Sequence, residues 1–143
     1  MIPLIISGAL IGFIIFFCLM SGLIAVVSGW RKIASVHPFN ETTAGNRIEK
    51  NSFCSLNIGY NTKYTNCMVI SFYETGIQIK PGIMFRAFHP PLFFEKDILK
   101  KASYDGTEQY GMFSITIEGR TIFIYGKIAA RIHAFTKSSN PYF

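Results

Sequence analysis

The chain divides sharply by the spacing of its apolar positions. From Ile2 to Gly29 nearly every residue is Ile, Leu, Phe, Val, Ala or Gly, with no polar face at any helical or strand period. About 20 such residues suffice for a helix to cross the hydrocarbon core, so residues 1–30 are expected to form a transmembrane anchor. A secretory signal would show a basic start, a shorter apolar core and a small-x-small cleavage site. Ser28-Gly29-Trp30-Arg31 offers no such site. Residues 31–50 read as a juxtamembrane connector, in which any extension of the helix stops before Pro38. The polar run Asn40 to Asn46 follows it.

Beyond residue 50 the period becomes two. Cys54, Leu56, Ile58 and Tyr60 alternate with polar positions, as in a half-buried strand. Further strands are expected at Cys67 to Tyr73, Ile77 to Lys80 and Ile83 to Phe88, the last two separated by the turn signal Pro81-Gly82. Leu92 to Phe94 and Ile98 to Tyr104 read as one strand interrupted at Glu95-Lys96-Asp97. Met112 to Glu118 and Thr121 to Tyr125 form a hairpin across Gly119-Arg120. The period then returns to helical: Ile128, Ile132 and Phe135 share one face, with Lys127 and Arg131 on the other. The expectation is an α+β chain, with a transmembrane helix followed by a β-rich domain (51–143) of about seven strands and a C-terminal helix.

That order of elements resembles the pleckstrin-homology-like (PH-like) barrel, including its GRAM and bacterial PH versions, over about Phe53 to Thr136. The resemblance implies a bent seven-stranded sheet plugged at one end by the last helix, and binding of lipid or protein. The segment His89-Pro90-Pro91-Leu92-Phe93-Phe94-Glu95-Lys96-Asp97-Ile98, together with Gly29-Trp30-Arg31-Lys32, is also similar to a group of small bacterial single-span membrane proteins. Those proteins often carry Ile-Pro-Trp-x-Asp-Ile at this place. Asp97-Ile98 match its end, whereas its proline and its aromatic are absent here. The second resemblance implies a bacterial inner-membrane location and brings no activity with it.

Charge changes the picture in one respect. All 14 basic and 8 acidic residues lie from Arg31 onward, so the net charge of +6 belongs entirely to the part after the anchor. Arg31 and Lys32 follow the apolar run directly, and the positive-inside rule then places the N-terminus outside and the domain in the cytoplasm. Trp30 falls at headgroup level. In a reducing cytoplasm Cys54 and Cys67 are small core residues; the opposite orientation would allow them to pair.

Candidate chemistry is sparse. His37, His89 and His133 lack partners at metal-ligand spacing. No phosphate-binding glycine loop or nucleophile elbow occurs, and Glu95 and Asp97 stand among Lys96, Lys100 and Lys101 as a charged edge. No catalytic residue, metal site or cofactor is expected. Binding residues are easier to nominate. Gly8, Gly12, Cys18, Gly22, Ala25 and Gly29 form an arc of small residues on the apolar helix, which admits close approach of another helix. Trp30, Arg31, Lys32, Lys96, Lys100, Lys101, Lys127 and Arg131 are candidate contacts to anionic headgroups, each basic residue contributing about 1 kcal/mol near a charged surface. The absence of any nucleic-acid-binding motif argues against that use of the basic charge. The leading expectation is a non-enzymatic accessory or scaffolding subunit of an inner-membrane complex, whose partners are integral membrane proteins. A tethered anionic-lipid-binding module and an immunity-type inhibitor of a toxin are the alternatives.

Overall fold

The computed structural model describes residues 2–139. It opens with α1 (Ile2–Val27), whose segment Ile6–Val27 is long and apolar enough to cross a membrane. Ile11, Phe13, Phe16 and Leu19 are each more than half exposed, an arrangement suited to a hydrocarbon solvent and not to water. The helix does not run on toward Pro38. Gly29, at φ 78°, takes the left-handed conformation that glycine adopts without strain, and the chain turns into a separate short helix, α2 (Trp30–Val36). The next helix, α3 (Glu41–Ala44), is capped by the Asn40 side chain, which accepts from the Thr42 N–H at 3.0 Å.

Seven antiparallel strands follow: β1 (Arg47–Ile58), β2 (Thr62–Tyr73), β3 (Gly76–Pro81), β4 (Leu92–Glu95), β5 (Ser103–Gly106), β6 (Gly111–Ile117) and β7 (Arg120–Gly126). They form one open sheet in the order β4-β3-β2-β1-β7-β6-β5. β1 is shared between the two halves. It pairs with β2 along its length but with β7 only through Leu56, Asn57 and Ile58. Between the two pairings a register shift leaves Phe53 at φ 58° and largely exposed, and such a bulge bends the strand so that the sheet can wrap its core. The β6–β7 turn is Glu118-Gly119, both at positive φ, because Ile117 pairs with Arg120. That is one residue earlier than expected, and it puts glycine at the second turn position.

Two expected elements are different. Ile83 to Phe88 is not a strand: a 3-10 turn, Ile83–Phe85, leads into an irregular loop. The interrupted strand expected from Leu92 to Tyr104 is two edge strands, β4 and β5, divided by the short helix α4 (Lys96–Leu99). The last helix, α5 (Lys127–Lys137), lies where the period placed it. Ile132 and Phe135 are fully buried, Phe135 meets Phe72 edge-on at 5.3 Å, and Arg131 on the opposite flank pairs with Glu49 at 2.8 Å.

The main core joins both halves of the sheet, among them Leu56, Ile58, Met68, Ile70, Phe72, Ile79, Phe113 and Ile124, to α5. It also includes Trp30, Ile33 and Ala34. The stretch read as a connector therefore supplies core residues, and β1 already begins within it.

Candidate functional site

The feature that singles this molecule out is the seam where α1 meets the sheet. Ser21, Gly22, Ala25, Ser28 and Gly29 recur at helical spacing on one face. Of these, Ser21, Ala25, Ser28 and Gly29 are buried against the chain itself. Phe88 lies over Gly22, where a Cβ would stand 3.3 Å from its ring, and one turn farther up the helix Phe17 meets Phe85 at 5.4 Å. Beside this, the β1–β2 turn (Asn61, Thr62, Lys63) and α1 (Leu23, Ile24, Val27) line a groove of about 360 Å³. Arg120 packs on Gly29, with its Nε 3.2 Å from where a Cβ would be.

A polar cluster pins the base of the seam. Trp30 is fully buried and donates through Nε1 to the Pro90 carbonyl at 2.8 Å. Its ring meets Tyr64 and His89 edge-on at 5.6 and 5.3 Å. The Tyr64 hydroxyl lies 3.1 Å from both Ser28 Oγ and His89 Nε2. On the other side of the ring, His89 Nδ1 is 3.1 Å from the Phe85 carbonyl. A carbonyl can only accept, so the proton on His89 Nδ1 points at Phe85. Burial pushes the His89 pKa down, against a smaller upward pull from the Phe85 carbonyl. Burial also pushes the Tyr64 phenol up. One helix end, one loop and one strand are thus tied by buried hydrogen bonds, which makes the junction specific as well as apolar.

The residues singled out in the sequence separate into groups. Gly22, Ala25 and Gly29 are brought together at the seam, facing the chain's own loop and turn. Gly8 and Gly12 meet nothing within 4 Å, and Cys18 is half-buried. Trp30 is a core residue, whereas Arg31 and Lys32 are exposed beside it, with Lys32 3.6 Å from Glu118. Lys96, Lys100 and Lys101 sit in and after α4, beyond Glu95, whose partner Gly76 lies past the last residues of β2. The seam is at the other end of that strand, near Tyr64. Lys96 caps the Phe135 ring at 4.2 Å and Lys100 pairs with Asp97 at 3.0 Å. Lys127 and Arg131 line a different groove, of about 570 Å³, with Glu49, Phe53 and Tyr125. Burial acts to raise the Glu49 pKa there, but hydrogen bonds from Asn51 and Arg131, with the Arg131 charge, hold it below the usual carboxylate value.

Sequence reasoning did not find the basic residues that share the end of the sheet with Arg31 and Lys32. Lys63 comes from the β1–β2 turn and Arg120 from the start of β7, and both are exposed next to α1. No local pattern links them; only the topology does. Cys54 and Cys67 carry free thiols whose pKa values burial raises, the opposite of an activated nucleophile. Among the described residues, no three His, Cys, Asp or Glu side chains are gathered to hold a metal. Comparison with protein-family models and with curated proteins finds no match.

Proposed function

We propose that this chain is a membrane-anchored, non-enzymatic scaffold whose helix and sheet domain act as one rigid piece. The seam carries the reading. A helix that only tethered a domain would need a flexible link, whereas here Trp30 is buried in the domain core three residues after α1 ends at Val27. Geometry favours a definite seating. At 1.5 Å per residue the 26 residues of α1 measure about 39 Å, against a hydrocarbon core of about 30 Å. The excess is about six residues, the length of the stretch from Gly22 to Val27 that packs on the domain. The hydrocarbon boundary would then fall near Ser21, and Lys63, Arg31, Lys32 and Arg120 would lie around the helix end at headgroup level.

This seating supports a cytoplasmic domain on the inner face of a bacterial membrane, in line with the positive-inside bias. The seven strands and the α5 helix packed on the sheet's inner face are in keeping with a PH-like domain. Such folds serve many tasks, so the fold alone assigns none. The domain, rigidly aimed, would present its grooves to a partner at the membrane. Purification of the full chain in mild detergent tests the proposal. A stoichiometric integral-membrane partner supports it. Recovery of the chain alone, with strong binding to anionic vesicles, would favour the lipid-binding alternative.

A further inference from the structure

The loop after β3 is apolar where a water-facing loop should not be. Ile83 is 80 % exposed and Met84 68 % exposed, although both follow a strand that buries Ile77 and Ile79 completely. The loop is not loosely held. The Gly82 N–H donates to the Cys67 carbonyl at 2.6 Å, His89 is 3.1 Å from the Phe85 carbonyl, and Phe85 and Phe88 are seated on α1. A packed loop that still turns two large apolar side chains outward is presenting them.

We infer that the Ile83-Met84-Phe85 turn is a second membrane contact, immersed in the lipid beside α1. The inference rests on α1 spanning the bilayer, and two observations fix its occupant as acyl chains. The first is continuity: Phe85 touches Phe17, so the turn prolongs the exposed apolar surface of α1 that carries Phe13 and Phe16. The second is depth. Phe17 lies four residues before Ser21, hence about 6 Å inside the hydrocarbon boundary placed there. That is the depth at which interfacial elements bury an apolar face, about 5–10 Å below the headgroups. Arg86 closes the turn, is exposed, and donates from Nε to the Pro81 carbonyl at 3.4 Å. Its charged end can reach the headgroups while its stem lies along the apolar layer. The arrangement gives the domain a second contact with the bilayer beside α1, and immersion of the loop on one side of the helix limits how far helix and domain can tilt.

The test uses the full chain in vesicles of phosphatidylcholine and anionic phosphatidylglycerol that carry a trace of lipid with a diazirine on the acyl chain. After illumination, adducts are mapped by fragmentation mass spectrometry. The expected result is labelling of α1 and of the Ile83–Phe85 turn at comparable yield, with the turn's adducts lost in the double variant Ile83→Lys, Met84→Lys while α1 remains labelled. Adducts on α1 without adducts on the turn would overturn the loop contact and leave the span intact. Absence of adducts from both would overturn the span itself.

Discussion

The two halves of α1 are made from the same residues and meet different surroundings. From Ile6 to Phe16 the helix is exposed on all sides, and the glycines at positions 8 and 12 meet no described residue within 4 Å. From Ser21 to Gly29 a face of equally small residues is covered by Phe88, Arg120 and the buried Tyr64–Ser28 contact. A run of small residues in an apolar helix therefore has two uses, and its composition does not say which applies. At the lower half glycine makes room for the chain's own aromatic ring. At the upper half no contact among the described residues explains it.

If the lower half is a structural joint, the largest loss should come from its buried centre. Trp30→Ala removes a fully buried ring together with its bond to Pro90, and should cost about 3–5 kcal/mol. Domains of this size hold only about 5–15 kcal/mol in reserve, so the full chain in detergent should show a markedly lower thermal midpoint. A midpoint close to wild type would mean that the joint contributes little and that α1 is a tether. Next in size is Gly22→Leu. A leucine must displace Phe88, and overpacking of this kind costs about 1–3 kcal/mol. The same midpoint measurement checks it, and the pair Gly22→Leu, Phe88→Ala should recover part of the loss. Failure of that rescue would mean the ring is not what fills the space.

The seam shows where the sequence was readable and where it was not. An unbroken apolar run located α1, and periodicity located most of the strands and α5, because in those the buried side chains recur at the element's own period. Periodicity misread Ile83 to Phe88 as a strand, since Phe85 and Phe88 pack on α1 and not on a sheet, while Ile83 and Met84 stay exposed. A run of apolar residues directly after Pro81-Gly82, lacking polar alternation, was the available sign that this segment is not a half-buried strand. The strand expected from Leu92 to Tyr104 failed for a related reason: α4 turns Leu99 inward within a single helical turn, too short to show a period. The cluster of Ser28, Tyr64 and His89 was illegible, because its bonded pairs are 36 and 25 residues apart and meet only through the topology. The glycine arc was legible as small residues, but its division into a packed and an open half depends on where Phe88 lands.

A smaller effect separates the joint from the rest of the domain through pH. Burial holds the His89 pKa below the ordinary value of 6.5, and His133 is lowered too, by burial and by Lys137. In both cases the unfolded chain binds the proton more readily. Stability should therefore be level above about pH 6.5, fall as the pH drops from there toward the folded values, and flatten below them. Thermal midpoints of the full chain in a non-ionic detergent across this range check the sign. His89→Gln should flatten the slope more than His133→Gln, because His89 is buried at the joint and His133 is only half-buried on α5. Equal slopes in the two variants would place the pH response outside the seam.

The smallest change to the chain's own stability should come from Gly12→Leu, and it bears most directly on the open half of α1. Nothing lies within 4 Å of Gly12, so a leucine there displaces no part of this chain, and the thermal midpoint should move by no more than about 0.5 kcal/mol equivalent. Insertion should be retained because the segment becomes more apolar. A partner helix lying close to Gly8 and Gly12 would be another matter. Helices in lipid are held together by close van der Waals contact, and a branched side chain at the contact forces them apart. If the scaffold engages its partner through this half, Gly12→Leu loses the partner in mild-detergent purification while Leu23→Ile keeps it. Gly22→Leu is a poorer probe of the same contact, since it disturbs Phe88 and the joint at once. Retention of the partner by Gly12→Leu would move the binding surface to the sheet domain and leave the upper half of α1 facing lipid alone.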